Sequence, residues 1–201
     1  MIDLSHLPQL VVLFFVIFDP LASFAVFFAL TEEMAAAQRR RTARLGLLVA
    51  AALSYLVLFA GPTLLGLFDT TVDQFRVAGG IVLGLLGIKM SLGGAFEPAA
   101  PGPERSAQAV AAVIATPLLT GPAAITAIIV SVQDFGKPVT ALAIGIVLAG
   151  TAALFLSAPL VRRLVNRTLI QVLSTTLGLI TLAWGVRYVT DGLTAILRGT
   201  P

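Results

Sequence analysis

The stretch FFVIFDPLASFAVFF, residues Phe14–Phe28, is an apolar run with an Asp-Pro pair near its centre. Proline removes a backbone donor and clashes with the preceding turn of a helix. It also pushes the residue before it away from α geometry. Asp19 and Pro20 therefore predict a helix that breaks here and restarts at the proline, with Asp19 as the N-cap of the second half.

A second stretch, VIATPLLTGPAAITAII (Val113–Ile129), carries Thr116 and Pro117 at the matching place, 97 residues later. Its Gly121-Pro122 pair predicts a further break. Other residues recur at almost the same offset: Pro62 as Pro159, and, after a slip of one residue, Gly80, Gly87 and Gly94 as Gly178, Gly185 and Gly192. These recurrences predict that the chain contains two copies of one structural unit.

The composition identifies a membrane protein. Hydrophobic residues make up 58% of the chain, charged residues only 11%, and the mean hydropathy is +1.00, whereas a soluble domain carries roughly 25% charged residues. Six apolar runs are near or above the roughly 18–20 residues that span a bilayer as a helix. These runs are Leu7–Leu30, Leu45–Phe68, Phe75–Leu92, Ala109–Val132, Pro138–Leu160 and Ile170–Leu193.

We therefore predict an all-α polytopic membrane protein with six transmembrane helices in one integral domain, residues 1–201. Repeat 1 covers 1–95, a Pro/Gly-rich connector covers 96–108, and repeat 2 covers 109–201. Because each unit crosses the membrane three times, the copies face opposite ways, as two inverted three-helix repeats with broken helices 1 and 4. The proline pairs permit either broken spans or re-entrant hairpins.

The distribution of basic residues predicts the orientation. The predicted first loop, Thr31–Arg44, holds four arginines, and the third and fifth loops are also basic, whereas the second holds two aspartates and no base. Lys and Arg concentrate in cytoplasmic loops. Loops one, three and five are therefore predicted to be cytoplasmic, with both termini on the outer, periplasmic side.

The two breaks are the candidate substrate or ion site. Half-helix N-termini that meet near the midplane present unpaired N–H groups and the positive end of a helix dipole. Inverted-repeat transporters bind anionic groups in this way. The residues assigned to this site are Asp19, Pro20, Ser23, Thr116, Pro117, Thr120, Gly121, Pro122 and Thr126. The hydroxyl residues among them have an alternative role, since hydroxyls in helices often bond to the preceding turn.

Asp19 is the one carboxylate that we place deep in the membrane. An acidic residue there costs about 2.5–3.5 kcal/mol on insertion scales, which makes it a functional candidate. Three roles are open: a counter-charge for an ammonium group, a carrier of the coupling H⁺, or part of a Na⁺ site with freed carbonyls. The structural alternative is an N-cap that only holds the half-helix together.

Enzymatic chemistry has little support in the sequence. The single histidine, His6, precedes helix 1, the chain has no cysteine, and no nucleophile, zinc or nucleotide-binding motif is present. One buried carboxylate is a poor cage for a divalent metal. We therefore predict no catalytic or metal site, and no cofactor beyond a coupling H⁺ or Na⁺. The basic residues lie in loops of a membrane protein, so nucleic acid is not a predicted partner.

The chain resembles the MarC family of small bacterial inner-membrane proteins, which is related to the LysE-type exporters. The resemblance rests on FDPLASFAVFFALT in helix 1, the QRRRTAR loop, FRVAGGIVLGLLGIKM in helix 3 and TPLLTGPAAIT in helix 4. In this family helix 1 usually has Asn-Pro, where this chain has Asp19. The resemblance implies a multi-pass protein of the bacterial inner membrane. It also implies transport of amino acids or similar small solutes, most often export.

Together these features predict a secondary transporter of a small zwitterionic solute, with a neutral amino acid as the favoured substrate and export or ion coupling as the favoured mode. The predicted partners are the lipid bilayer and the small-molecule substrate, and a homodimer is left open. The alternatives are a passive small-solute channel and a non-transporting membrane scaffold or regulator. A membrane enzyme ranks last, because the sequence offers no acid–base pair.

Overall fold

The computed structural model describes residues 4–31, 34–93, 119–157 and 167–199. This part of the chain forms seven α-helices and no β-strand. In chain order they are α1 (Leu7–Phe18), α2 (Pro20–Thr31), α3 (Ala36–Leu67), α4 (Val72–Ser91), α5 (Pro122–Phe135), α6 (Lys137–Leu156) and α7 (Arg167–Arg198). The predicted connector and the first half of predicted helix 4, with Thr116 and Pro117, lie outside the described residues.

Several helices are suited to a membrane. The stretches that are long and apolar enough to cross one are Leu7–Thr31, Ala36–Leu67, Lys137–Leu156 and Val172–Arg198. α5 is apolar but shorter, and α4 has 20 residues and carries Asp73 and Lys89 near its ends. Large apolar side chains are exposed on the outward faces, among them Leu48, Phe59, Leu85, Leu142 and Leu179. This architecture agrees with the predicted all-α polytopic membrane protein.

The predicted first loop is wrong over most of its length. α3 begins at Ala36, so the four arginines assigned to that loop lie on the first turns of the helix. The loop is predicted from the end of the apolar run, which stops at the first cluster of charged residues. The helix itself continues through the headgroup region, where arginine side chains remain solvated. With 32 residues, α3 is about 48 Å long and exceeds the roughly 30 Å hydrocarbon core.

The broken span formed by α1 and α2 lies at the centre of the bundle. In its most apolar stretch 72% of the residues are buried, compared with 28% for α3. The rings of Phe14, Phe18 and Phe27 are fully enclosed, and Phe27 stacks on Phe155 of α6 with ring centroids 4.8 Å apart. The helix break is therefore held within packed side chains and kept away from the lipid-facing surface.

The helices α4 and α7 pack backbone against backbone. A Cβ atom built on Gly80 would lie 2.8 Å from the carbonyl oxygen of Gly185, and one built on Gly87 would lie 2.7 Å from that of Gly178. The contacts run in opposite chain order, so the two helices are antiparallel. Only glycine permits this separation, in the way that small residues let membrane helices approach closely.

The helix α5 is wedged between α3 and α4. A Cβ atom on Gly61 of α3 would lie 2.7 Å from Cγ1 of Ile129, and one on Gly79 of α4 would overlap the side chain of Thr126. The phenol of Tyr55 in α3 donates a hydrogen bond to the carbonyl of Ala141 in α6, at 3.0 Å. The two glycine contacts fix α5 relative to α3 and α4, and the hydrogen bond joins α3 to α6.

Candidate functional site

The predicted break in helix 1 is present at Asp19. α1 ends at Phe18, α2 begins at Pro20, and the backbone of Asp19 is left-handed, with φ 37° and ψ 69°. Few residues other than glycine adopt this conformation, and Asp and Asn are among them because their short polar side chains bond locally. The Asp19 N–H still donates to the carbonyl of Phe15, at 3.1 Å, so α1 ends with its last turn closed.

Asp19 also caps α2, as the sequence predicts. Its Oδ1 atom accepts a hydrogen bond from the Ala22 N–H at 3.2 Å, the usual geometry of an N-cap. The hydroxyl of Ser23 donates to the carbonyl of Phe18 at 3.2 Å and so bridges the break. Both Asp19 and Ser23 are buried. Ser23 therefore joins the two half-helices through a hydrogen bond to the backbone.

The second oxygen of the Asp19 carboxyl group, Oδ2, takes no part in capping the helix. Oδ2 is buried and has no hydrogen-bond partner among the described residues, although Asp19 is only 3% exposed. A buried polar atom without a partner is costly, and such atoms in a native structure call for an explanation. The capping role accounts for Oδ1 alone. Oδ2 is available for a proton, a cation or an ammonium group.

Two further oxygen atoms are relevant to this carboxyl group. The hydroxyl of Ser174, in α7, lies near it without a hydrogen bond to Oδ2, and Ser174 is itself buried. Pro20 has no N–H, so the carbonyl of Val16 has lost the donor that a continuous helix would supply four residues later. Carboxylate, hydroxyl and freed carbonyl oxygens are the groups with which broken-helix transporters hold Na⁺ or H⁺.

Ser174 is a residue that the sequence interpretation misses. One signal does point to it: at the repeat offset of 98 residues, Ser174 is the counterpart of Arg76, and both are polar positions in otherwise apolar helices. Its approach to Asp19 depends on how α7 packs against the broken span. That tertiary relationship is not encoded in the local pattern of either segment.

The depth of Asp19 follows from the lengths of its two flanking helices. α1 and α2 have 12 residues each, so each extends about 18 Å from the break at 1.5 Å per residue. The carboxyl group therefore lies near the middle of the span, where transporters of the inverted-repeat class bind their substrates and ions.

The second predicted break is described only from Leu119 onwards. Gly121 occupies the N-cap position of α5 without a side-chain hydrogen bond, and Pro122 follows as its first residue. Thr120 is buried. The hydroxyl of Thr126 donates to the Pro122 carbonyl at 3.1 Å, so this assigned residue is bonded to its own helix. Among the described residues, the start of α5 therefore has no side-chain cap at its N-cap position.

A second polar cluster, also missed from the sequence, lies at the end of the bundle near His6. Arg76 of α4 forms an ion pair with Asp134 of α5, and its Nε is 3.7 Å from Oδ1 of Asp73. Three residues before Asp134 on α5, Ser131 is fully buried, and its hydroxyl has no hydrogen-bond partner among the described residues. The pair joins α4 to α5 across the end of the bundle.

This cluster, defined by Arg76, Asp134 and Ser131, also approaches Tyr188 of α7. Tyr188 is 14 residues after Ser174 on the same helix, which corresponds to about 21 Å along the axis. A small solute therefore cannot contact Asp19 and Arg76 at the same time. The two polar sites are separate places in the bundle.

Comparison with known proteins is consistent with the resemblance drawn from the sequence. The profile described as "MarC family integral membrane protein" matches residues 4–197. "UPF0056 membrane protein YhcE" of Escherichia coli (strain K12) is 30% identical over 92% of this chain and 90% of its own length. "UPF0056 inner membrane protein YhgN" of the same strain is 26% identical, over 94% and 96%. No solved structure matches.

Proposed function

The chain belongs to the MarC family of integral membrane proteins, and from that premise we propose that it is a secondary transporter of a small zwitterionic solute. A neutral amino acid is the substrate class that suits the site. The observation that carries this proposal is the buried, unpartnered Oδ2 of Asp19 at a helix break in the middle of a span. Intramembrane ionisable residues that face the bundle interior mark substrate or ion pathways.

The contacts between α4 and α7 support the inverted repeat that this mechanism requires. At the offset of 98 residues, Gly178 is the counterpart of Gly80, and Gly185 is the counterpart of Gly87. The contact between Gly80 and Gly185 is therefore the counterpart of the contact between Gly178 and Gly87. Two elements related by a two-fold axis make each contact twice in this way.

The contacts of α2 and α5 with the following helices of the other half show the same exchange. α2 packs on α6 and α7, whereas α5 packs on α3 and α4. Each set is converted into the other when the two halves of the chain are interchanged. We take the six spans as two inverted three-helix repeats with the site between them. Alternating access then requires one group of helices to move relative to the other around a fixed site.

Each chemical group in the proposed site has a distinct role. Asp19 binds the ammonium group of the substrate or carries the coupling H⁺ or Na⁺, and Ser174 completes its ligand sphere. The N–H groups in the first turn of α5, which have no acceptor within their own helix, bind the substrate carboxylate with the positive end of the helix dipole. In this proposal, both termini face the periplasm of a bacterial inner membrane, and transport is outward.

The proposal is tested by transport in proteoliposomes. Purified protein is reconstituted with a labelled neutral amino acid inside, and efflux is measured with and without a pH or Na⁺ gradient. We expect saturable, gradient-driven flux that Asp19→Asn abolishes. Non-saturating flux that no gradient drives uphill would instead favour a passive channel, and the absence of flux across a panel of amino acids would favour a scaffold.

A matched control comes from Asp69, at the end of α3. It is exposed, and its backbone is also left-handed, with φ 52°. Asp69→Asn removes one negative charge at a residue of the same backbone type, but outside the buried site. We expect unchanged flux for this variant. Equal loss of transport in both variants would show that charge removal acts without any specific role for Asp19.

A further inference from the structure

Three arginines form a basic recess on one face of α3. Arg40, Arg41 and Arg44 line a surface cavity of about 390 Å³, bounded by Ala37 and Leu45 on the same helix. Their spacing of one to four residues places them on one side of the helix within little more than one turn. All three side chains are exposed. The recess therefore concentrates three positive charges in a small concave space.

None of these three arginines makes an ion pair or hydrogen bond with a residue in the described ranges. Their neighbour Arg39 differs, because its guanidinium donates to the carbonyl of Thr31, at 2.9 Å from Nη2, and lies over the Phe28 ring. Arg39 thus closes the end of α2 and contributes to packing. In addition, the first turn of α3 contains no acidic residue, so no carboxylate within that turn offsets the positive end of the helix dipole.

The position of the recess along α3 corresponds to the lipid headgroups. From Leu45 to the end of α3 at Leu67 there are 23 residues, or about 35 Å, which is enough to cross the roughly 30 Å hydrocarbon core. The arginines therefore lie just beyond that core. At this level, guanidinium groups meet phosphate groups of the bilayer.

An apolar stripe continues from the recess toward the middle of the membrane. Leu48 is 66% exposed and Phe59 is 59% exposed. Seven residues separate Arg41 from Leu48, and eleven separate Leu48 from Phe59, so all three lie within about 20° of one line along the helix. The same helix face thus combines a basic headgroup-level recess with an apolar surface long enough for an acyl chain.

From this combination we propose that the recess of Arg40, Arg41 and Arg44 is a binding site for an anionic phospholipid. The arginines hold the phosphate of the headgroup through charge-assisted hydrogen bonds, and an acyl chain lies along Leu48 and Phe59. This proposal stands apart from the transport function, because it uses no residue of the Asp19 site.

The test is a lipid titration of the purified protein in neutral detergent, followed by native mass spectrometry and thermal unfolding. Short-chain phosphatidylglycerol, phosphatidylcholine with the same chains, and inorganic phosphate are titrated separately. We expect phosphatidylglycerol to bind, and the variant R40Q/R41Q/R44Q to bind it about a hundredfold more weakly, as the loss of three surface arginines implies. R40K/R41K/R44K is expected to retain most of the affinity.

The matched control is K89Q/R187Q/R198Q, which removes the same number of positive charges at exposed positions outside the recess. We expect its affinity for phosphatidylglycerol to stay within about threefold of the wild type, since charge near the headgroup acts locally. Unfolding temperatures without lipid establish that each variant is folded. Equal loss in both triple variants, or unchanged binding in the arginine variant, would refute the site. Binding of free phosphate with equal affinity would refute its lipid character.

Discussion

The backbone of Gly87 in α4 lies against that of Gly178 in α7, so a Cβ atom on Gly87 would come within 2.7 Å of the Gly178 carbonyl oxygen. We predict that Gly87→Ala lowers the free energy of unfolding by about 1–3 kcal/mol, because the helices must separate to accept the methyl group. Denaturant titration in detergent micelles measures this change.

The control for that prediction is Gly150→Ala in α6. A Cβ atom on Gly150 would meet no other atom within 4 Å. Alanine is favoured over glycine in a helix by about 0.5–1 kcal/mol. Gly150→Ala is therefore expected to leave the stability unchanged or raise it slightly. A similar loss in both variants would mean that the close approach of α4 and α7 has no special importance.

Substitutions at Asp19 are expected to separate stability from transport. Asparagine tolerates the left-handed backbone and can still accept the Ala22 hydrogen bond, so Asp19→Asn should be at least as stable as the wild type. Asp19→Gly should lose a few tenths of a kcal/mol. Asp19→Ala should lose about 1–3 kcal/mol, because it removes the cap and strains the backbone. All three should abolish coupled flux.

The measurements are thermal or denaturant unfolding and proteoliposome transport on the same preparations. Transport that follows stability across the three variants, with Asp19→Asn fully active, would reduce Asp19 to a helix cap.

Removal of the Ser174 hydroxyl should weaken the site without unfolding the protein. We expect Ser174→Ala to raise the apparent KM for the substrate or coupling ion by about three- to tenfold, the equivalent of one hydrogen bond of roughly 0.5–1.5 kcal/mol. Thr176→Ala is the control on the same helix, since the Thr176 hydroxyl is exposed and donates to the Val172 carbonyl. Equal kinetic effects in both variants would contradict a role for Ser174 beside Asp19.

The ion pair between Arg76 and Asp134 should contribute to stability, because the Arg76 side chain is only 13% exposed. Asp134→Asn is expected to cost about 1–3 kcal/mol, less than a fully buried pair because Asp134 remains 32% exposed. A double-mutant cycle with Arg76→Gln isolates the coupling free energy.

The comparison for this cycle is the exposed pair Arg187–Asp191, whose side chains are 56% and 46% exposed. Its coupling free energy should stay below about 1 kcal/mol. Similar values for the two pairs would show that the position of Arg76 between helices has no energetic consequence.

The sequence predicts the features that depend on local rules. The Asp19-Pro20 pair predicts the break, because the proline removes a backbone donor and the aspartate before it can cap the next helix. Proline alone is not sufficient, since Pro62 lies inside α3 without ending it. The ends of α3 are harder to predict, because a window of apolar residues stops at Arg44 although the helix begins at Ala36. Hydropathy marks the hydrocarbon region and carries no information about the turns that project beyond it.

The contents of the site are predicted only in part. Asp19 stands out because a carboxylate in an apolar run is unusual, whereas Ser174 is an ordinary serine until packing brings it to Asp19. The pairing of Arg76 with Asp134 likewise joins residues 58 positions apart through the packing of α4 on α5. Such pairs depend on how each helix is rotated about its own axis. Because these helices are apolar on most sides, their sequences do not indicate which side faces which neighbour.

The close packing of α5 against Gly61 of α3 and Gly79 of α4 restricts how the helices can move. Rotation of this half-helix about its own axis would drive Thr126 into the backbone of α4 and Ile129 into that of α3. In the alternating-access cycle that we propose, α5 would therefore move together with α3 and α4. The positively polarised first turn of α5 would then keep a constant orientation relative to these two helices throughout the cycle.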